Sequence, residues 1–294
     1  MDDTYKQQLE AVRAARREIA QRPTLGRRFE VPRHDQKGVQ TILYRPSTDA
    51  KFDKLPVLFN MHGGAWIGGD AVFMESFCQM IADQVPAFVV NVNYTKADEE
   101  PIRYAIDEIV DAVNYFAAHA DEYGIDPARM AVGGHSAGGH LAAGAAMKLK
   151  EDGVSLACQM LVYPVTDLTV DQDQPIALIR QVEETYFTQG GNDHRYLSPL
   201  RADDEHLAGL SHAIFITCGT DELKPMGIAY AKRLMDASVP VKVKDYPDAQ
   251  HGFLEVNRPD YPAGDPRQNA EQEAYCRDCE NYLVHELRAC YAEV

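Results

Sequence analysis

The stretch that decides the fold is Gly133-Gly134-His135-Ser136-Ala137-Gly138-Gly139. Its G-x-S-x-G spacing is that of a nucleophile elbow, in which a serine occupies a tight turn between a strand and a helix. Both flanks have the required pattern. Met130-Ala131-Val132 is a short apolar run, and residues 137–150 are rich in alanine and leucine without proline. The stretch therefore predicts a strand, a sharp turn that carries a nucleophilic serine, and a helix.

The composition is that of a soluble globular protein, and the length suggests one large domain or two small ones. The chain has 294 residues, of which 45% are apolar and 25% charged, and a formal net charge of -16. Such an acidic protein is repelled by nucleic acid and by anionic membranes, so neither is expected as a partner. The N-terminus has no apolar signal core, and no apolar run is long enough to span a membrane. We expect a cytoplasmic protein that acts on a small molecule, and a homodimer is left open.

The six cysteines show no regular spacing, which favours a reducing compartment over a disulfide framework. Cys276-Arg277-Asp278-Cys279 has C-x-x-C spacing, but no second pair at zinc-site spacing accompanies it. We interpret this pair as a coincidence and predict no metal site.

Short apolar runs alternate with helical patterns along the chain, which predicts βαβ units and a mostly parallel sheet flanked by helices. The segment from Thr166 to Leu210 interrupts this alternation, because it is polar and contains several prolines and glycines. We expect a single α/β domain over residues 1–294, with a small helical cap from about residues 1–38 and part of 166–210. Strands are expected at residues 39–44, 56–61, 88–92, 158–162, 213–218 and from 241; helices are expected at 4–20, 102–119, 226–237 and 271–288.

A serine nucleophile requires a histidine base and a carboxylate that orients the histidine. His251 follows the last predicted strand and is the best base, although a loop histidine can also be merely exposed. The carboxylate should lie between serine and histidine in chain order. Asp221, after the strand that ends at Cys218, fits best; its alternative role is a helix N-cap. Asp167 is the main competitor and Glu222 a weaker one.

The donors for an oxyanion are expected in His62-Gly63-Gly64-Ala65-Trp66, directly after the strand that ends at Met61. This sequence resembles the HGGG motif of lipases and esterases. We predict that the backbone N–H groups of Gly63, Gly64 and Ala137 form the oxyanion hole, and that Ala65 shares this role.

Together these motifs resemble the hormone-sensitive lipase family of α/β-hydrolases, over the chain from about Pro56 to the C-terminal helix. Asn93-Tyr94 also falls where that family has a strand-end tyrosine. The resemblance implies an eight-stranded sheet, a cap built partly from the N-terminus, and hydrolysis of short-acyl esters without a cofactor. Three departures stand out. Ala65 replaces a third glycine and is expected to narrow the acyl pocket, His135 replaces an aspartate, and Asp221-Glu222-Leu223 lacks the usual proline.

We therefore expect a serine carboxylesterase that works through an acyl-enzyme intermediate. Trp66, Tyr94 and His135 are predicted to contact the substrate, and further aromatic candidates for the pocket are Phe73, Phe77, Tyr186 and Phe187. Two alternatives remain: a peptidase or amidase of the same fold, and a non-catalytic ligand-binding homologue. Both alternatives share the fold. The first would act on amide bonds, and the second would bind a ligand without catalysis.

Overall fold

The computed structural model describes residues 3–48, 50–169 and 194–294. One sheet holds eight strands in the order β1-β2-β4-β3-β5-β6-β7-β8. The pairs β1–β2 and β2–β4 are antiparallel, and the other five pairs are parallel. The strands are β1 Arg27–Val31, β2 Val39–Tyr44, β3 Leu55–Met61, β4 Phe88–Val92, β5 Ile125–His135, β6 Cys158–Val162, β7 His212–Cys218 and β8 Val241–Tyr246.

Helices cover both faces of this sheet. They are α1 Asp3–Ile19, α2 Glu75–Gln84, α3 Ile102–Ala118, α4 Ala120–Tyr123, α5 Ala137–Glu151, α6 Asp204–Leu207, α7 Lys224–Asp236, α8 Phe253–Val256 and α9 Ala270–Ala292, with single 3₁₀ turns at Ala71–Met74 and Pro199–Arg201. One hydrophobic cluster joins α3, α5 and α7 to one face of the sheet, and a second joins α2 and α9 to the other. The predicted α/β class is confirmed.

The central strands are apolar along most of their length because helices bury both of their faces. Every residue of β3, β4 and β6 is buried. The predicted bounds of β2, β4 and β6 are confirmed to the residue. Within the described ranges, no helix is both long and apolar enough to cross a bilayer.

Parallel strands place the candidate site at one edge of the sheet. β3, β5, β7 and β8 run in the same direction, so their carboxyl ends share an edge, where α/β proteins bind their ligands. The segments that carry the motifs follow these four strands. Of the predicted cap, α1 is described, whereas residues 170–193, which include Tyr186 and Phe187, lie outside the described residues.

Candidate active site

Ser136 lies on a sharp turn between β5 and α5. Its backbone has φ 54° and ψ -115°, a strained conformation for a residue with a side chain. Its N–H donates to the Val162 carbonyl at 2.9 Å, which ties the turn to β6. A Cβ on Gly138 would collide with the Met61 carbonyl, and one on Gly134 with the backbone of Gly138. These glycines therefore allow the close packing that holds the turn in place.

A row of hydrogen bonds joins Ser136 to His251 and Asp221. The distance from His251 Nε2 to Ser136 Oγ is 2.8 Å, and from His251 Nδ1 to Asp221 Oδ2 it is 2.6 Å. An ionised carboxylate only accepts hydrogen bonds, so Nδ1 carries the proton and Nε2 is free to accept the serine proton. The Asp221 side chain is 3% exposed and that of His251 31% exposed. A buried carboxylate thus orients an imidazole that solvent can reach.

The two competing carboxylates lie elsewhere. Asp167 forms an ion pair with Arg201 Nε at 2.9 Å, and its other oxygen accepts from the Thr169 backbone. Glu222 is exposed. Among the described residues, Asp221 is the carboxylate that is hydrogen-bonded to His251.

The loop after β3 presents free backbone donors next to the elbow. Gly64 has φ 119°, and its carbonyl accepts from Gly68 N–H at 2.7 Å, which closes the loop into a turn. Ala65 also has a positive φ, 51°. Within the described part of the chain, the N–H groups of Gly64, Ala65 and Ala137 donate no hydrogen bond. Ala137 is the first residue of α5, where the helix dipole favours negative charge.

Gly63 packs against Glu255, a residue that the sequence analysis did not single out. Its N–H interacts with the carboxylate of Glu255, and a Cβ on Gly63 would lie 2.5 Å from Glu255 Oε1. Burial raises the pKa of Glu255 to about 7, although nearby His251, the Gly63 N–H and Arg267 favour its charged form. The Gly63 N–H therefore lies beside Glu255, and its role as an oxyanion donor stays a prediction. Glu255 was missed in the sequence analysis. The one sign of it in the sequence is an acidic residue four positions, or one helical turn, after His251.

The three predicted substrate contacts are buried and face internal partners. Trp66 donates from Nε1 to His140 Nδ1 at 3.1 Å, and the Tyr94 hydroxyl donates to the His62 carbonyl at 3.1 Å. His135 is fully buried, with its ring edge-on to Phe77 at 5.0 Å, and burial lowers its pKa to about 3. The structure brings none of these three side chains to an exposed surface.

Two of the predicted pocket aromatics are described. Phe77 is also buried, and Phe73 packs against Tyr261 with ring centroids 5.3 Å apart. The ring contacts described for Phe73 and Phe77 do not involve Ser136.

The cysteines are all free and buried, including Cys276 and Cys279 on α9. In the described ranges, the side chains near enough to share a metal are Asp203, Glu205 and His206, of which the two acids are exposed. Exposed acids commonly cluster without a metal, so we assign no metal site to them.

The chain resembles known esterases over most of its length. A family model described as alpha/beta hydrolase fold matches residues 58–255. Esterase LipI of Mycobacterium tuberculosis is 32% identical over 229 residues, which cover 74% of this chain and 71% of LipI. Carboxylesterase NlhH of the same species is 33% identical over 216 residues, which cover 69% of this chain and 67% of NlhH.

Solved structures agree with this assignment. The crystal structure of a thermostable esterase from Pseudomonas putida has a TM-score of 0.78 and 27% identity, and the match covers 96% of this chain and 88% of that one. The resemblance predicted from the motifs is confirmed, and the chain belongs to the hormone-sensitive lipase family of α/β-hydrolases.

Proposed function

We propose that the chain is a serine carboxylesterase that hydrolyses short-acyl carboxylic esters through an acyl-enzyme intermediate on Ser136. Carboxylic ester hydrolysis is its reaction class, as it is of the esterases that it resembles, and its substrate is a small-molecule ester. The observation that carries the assignment of residues is the hydrogen-bonded row from Ser136 Oγ through His251 to Asp221, at 2.8 and 2.6 Å.

In the first step, Ser136 Oγ attacks the ester carbonyl carbon while His251 Nε2 accepts the hydroxyl proton. Asp221 holds the imidazole in the required tautomer and stabilises its charged form. The carbonyl oxygen becomes negative, and the N–H groups of Gly64, Ala65 and Ala137 donate to it. The intermediate collapses when His251 returns the proton to the departing alcohol oxygen, and an acyl-serine remains.

In the second step, water replaces the alcohol. His251 accepts a proton from water, whose oxygen attacks the acyl carbon, and the same N–H groups stabilise the second oxyanion. Collapse of this intermediate returns the proton to Ser136 and releases the carboxylic acid. Trp66, Tyr94 and His135 support the site from behind in this proposal, since each is buried.

We further propose that α1 forms part of a cap over the site, together with part of residues 166–210. Arg16 Nη1 of α1 donates to the Ile67 carbonyl at 2.8 Å, in the loop that carries the free donors. Arg13 and Arg16 both form ion pairs with Asp98, in the loop after β4. These contacts attach α1 to the carboxyl edge of the sheet. Ala65, in place of a smaller glycine, favours acetyl to butyryl over long acyl groups.

A cytoplasmic location is proposed on the basis of the six unpaired thiols, which suit a reducing compartment. A homodimer stays a prediction that light scattering of the purified protein would check.

The first test replaces the nucleophile. Ser136→Ala should lower kcat for p-nitrophenyl acetate by about 10⁶-fold, since other serine triads lose a comparable factor. The control is Ser155→Ala, which makes the same chemical change at an exposed serine and should leave the rate unchanged. A fluorophosphonate should label the wild type at Ser136 with one equivalent. Ester hydrolysis that survives in Ser136→Ala would contradict the proposal.

A second comparison separates the esterase from an amidase. The ester and the amide of the same short acyl group should be assayed side by side on the wild type. We expect the ester to be hydrolysed much faster, and a preference for the amide would assign the site to the alternative class.

A further inference from the structure

The orientation of the Gly64 N–H depends on the carbonyl of Gly63. The two groups belong to one planar trans peptide, so they point in opposite directions. His62 Nδ1 lies 2.5 Å from the Gly63 carbonyl oxygen. A carbonyl only accepts hydrogen bonds, so this contact is favourable only when the proton of His62 is on Nδ1. The tautomer of His62 therefore decides whether the Gly63 peptide is held in place.

Lys96 contacts the other nitrogen of the same ring. Its Nζ lies 3.2 Å from His62 Nε2, 2.9 Å from Asn93 Oδ1 and 2.6 Å from the Tyr94 carbonyl oxygen. An ammonium group has three donors and no acceptor, and here each donor has a partner. His62 Nε2 must then accept, which leaves the proton on Nδ1.

The charge states support this arrangement. Lys96 is 5% exposed, and burial lowers its pKa to about 8, so it carries a proton at neutral pH. Burial and the Lys96 ammonium hold the pKa of His62 well below its ordinary range, so its ring is neutral. A neutral ring has two tautomers, and a neighbour must select one of them.

Without the ammonium, the neighbouring side chain would favour the opposite tautomer. Asn93 Oδ1 lies 3.2 Å from His62 Nε2 and would accept a hydrogen bond from an Nε2–H group. Asn93 cannot easily turn its amide, because its Nδ2 donates to Asp70 Oδ2 at 2.9 Å. The lone pair of Nδ1 would then face the Gly63 carbonyl oxygen and repel it.

We propose that Lys96 is a positioning residue of the esterase, which holds His62 in the Nδ1–H tautomer and thereby directs the Gly64 N–H toward the oxyanion. The inference rests on the proposed function, since it assumes that the Gly64 N–H stabilises that oxyanion. Loss of Lys96 should weaken one donor in the transition state and leave binding of the uncharged ester nearly unchanged.

The test combines kinetics with a direct view of the ring. Lys96→Met keeps the unbranched shape and most of the length of the side chain, and it removes the donors. Removal of one oxyanion donor costs about 10²- to 10³-fold in kcat, so a misdirected donor should cost about 10- to 100-fold, with KM within about threefold. Nitrogen NMR of the histidines should show His62 protonated at Nδ1 in the wild type and at Nε2 in the variant.

Lys37→Met is the matched control. Lys37 is exposed and lines the same cavity of ≈ 560 Å³ as Lys96, between α1, the start of β2 and the loop after β4. The control should keep the kcat and the His62 tautomer of the wild type.

The same cavity permits chemical rescue. In Lys96→Ala, an added small primary amine such as ethylamine can enter the cavity as its ammonium ion and restore part of kcat. A carboxylate of similar size should have no effect.

Several outcomes would overturn the proposal. They are a wild-type His62 ring protonated at Nε2, a Lys96→Met variant with unchanged kcat, and a variant that loses kcat while its ring stays protonated at Nδ1. The wild-type NMR measurement can refute the proposal even if neither variant folds. The NMR measurement requires no esterase activity. A failure of the Lys96 proposal is therefore distinguishable from a failure of the proposed function, which the Ser136 test checks.

Discussion

Ser136, Ala65 and Trp66 all have positive φ, at 54°, 51° and 61°, although each carries a side chain. Such conformations are costly and persist where the surrounding structure enforces them, which is most often at functional sites. At Ser136 the enforcing contacts are the close approach of Gly138 to Met61 and the hydrogen bond to Val162. At the residue scale, the strained backbone conformations occur at the proposed nucleophile, Ser136, and in the loop that carries the proposed oxyanion donors.

The choice of carboxylate is a prediction at this scale. Asp221→Asn should keep the fold and lower kcat by about 10⁴-fold, because an amide at this position favours the wrong tautomer of His251. Asp167→Asn makes the same chemical change at the competing position, where the partner is Arg201. It should retain activity, and circular dichroism should show both variants folded. Severe loss in the Asp167 variant, with an active Asp221 variant, would reverse the assignment.

At the scale of elements, the short helix α8 joins the base to the oxyanion loop. It begins at Phe253, two residues after His251, and its Glu255 packs on Gly63. Glu255 Oε1 is buried and has no hydrogen-bond partner within the described residues. A carboxylate with one buried oxygen that lacks a partner is costly when ionised, so Glu255 lowers the stability of the folded protein while it packs closely against the site.

The stability of this element should depend on pH. The pKa of Glu255 is raised from 4.5 to about 7, so the folded protein holds this proton more tightly than the unfolded chain does. Stability from this group is present at low pH and is lost as pH rises from about 4.5 to about 7. Glutamine cannot ionise, so Glu255→Gln should raise Tm relative to the wild type more at pH 8 than at pH 5.

Calorimetry at the two pH values checks this expectation, with Glu222→Gln as an exposed control that should shift neither Tm. Equal Tm differences for Glu255→Gln at pH 5 and pH 8 would show that the carboxylate carries no such penalty.

At the scale of the whole molecule, the net charge of -16 sets the long-range field. An acidic surface repels an approaching anion, and added salt screens that repulsion beyond about 8 Å at physiological ionic strength. The cavity beneath α1 differs from this overall balance, because five basic and four acidic residues line it: Arg13, Arg16, Arg17, Lys37 and Lys96, with Glu10, Asp70, Glu99 and Glu108.

This field should appear in the kinetics of charged substrates. For p-nitrophenyl hemisuccinate, an anionic short-acyl ester, kcat/KM should increase with ionic strength, because screening reduces the repulsion. For neutral p-nitrophenyl acetate it should stay nearly constant. If kcat/KM for the anionic ester falls as salt is added, an attractive basic surface near the site dominates over the overall charge.

The fold was predictable from sequence where one element supplies its own signal. β4 and β6 are mostly apolar, with one buried amide each, since both of their faces are buried. The elbow has its own spacing of glycines around serine. β1 was not predicted, because only Val31 of its five residues is fully buried and its apolar signal is weak. α2 was also missed, since its ten residues are too few to show a clear helical period.

The fold class, the family and the chain order of serine, acid and histidine could be predicted from the amino-acid sequence, because they depend on local spacing and on strand order. The tertiary structure alone placed His251 on Ser136 across 115 residues and directed Asp167 to Arg201. It also brought Lys96 to His62 and Glu255 to Gly63, two adjacent residues of the loop after β3. The physical reason is that hydrogen bonds act over about 3 Å. Only the parallel packing of β3, β5, β7 and β8 brings distant loops within that range.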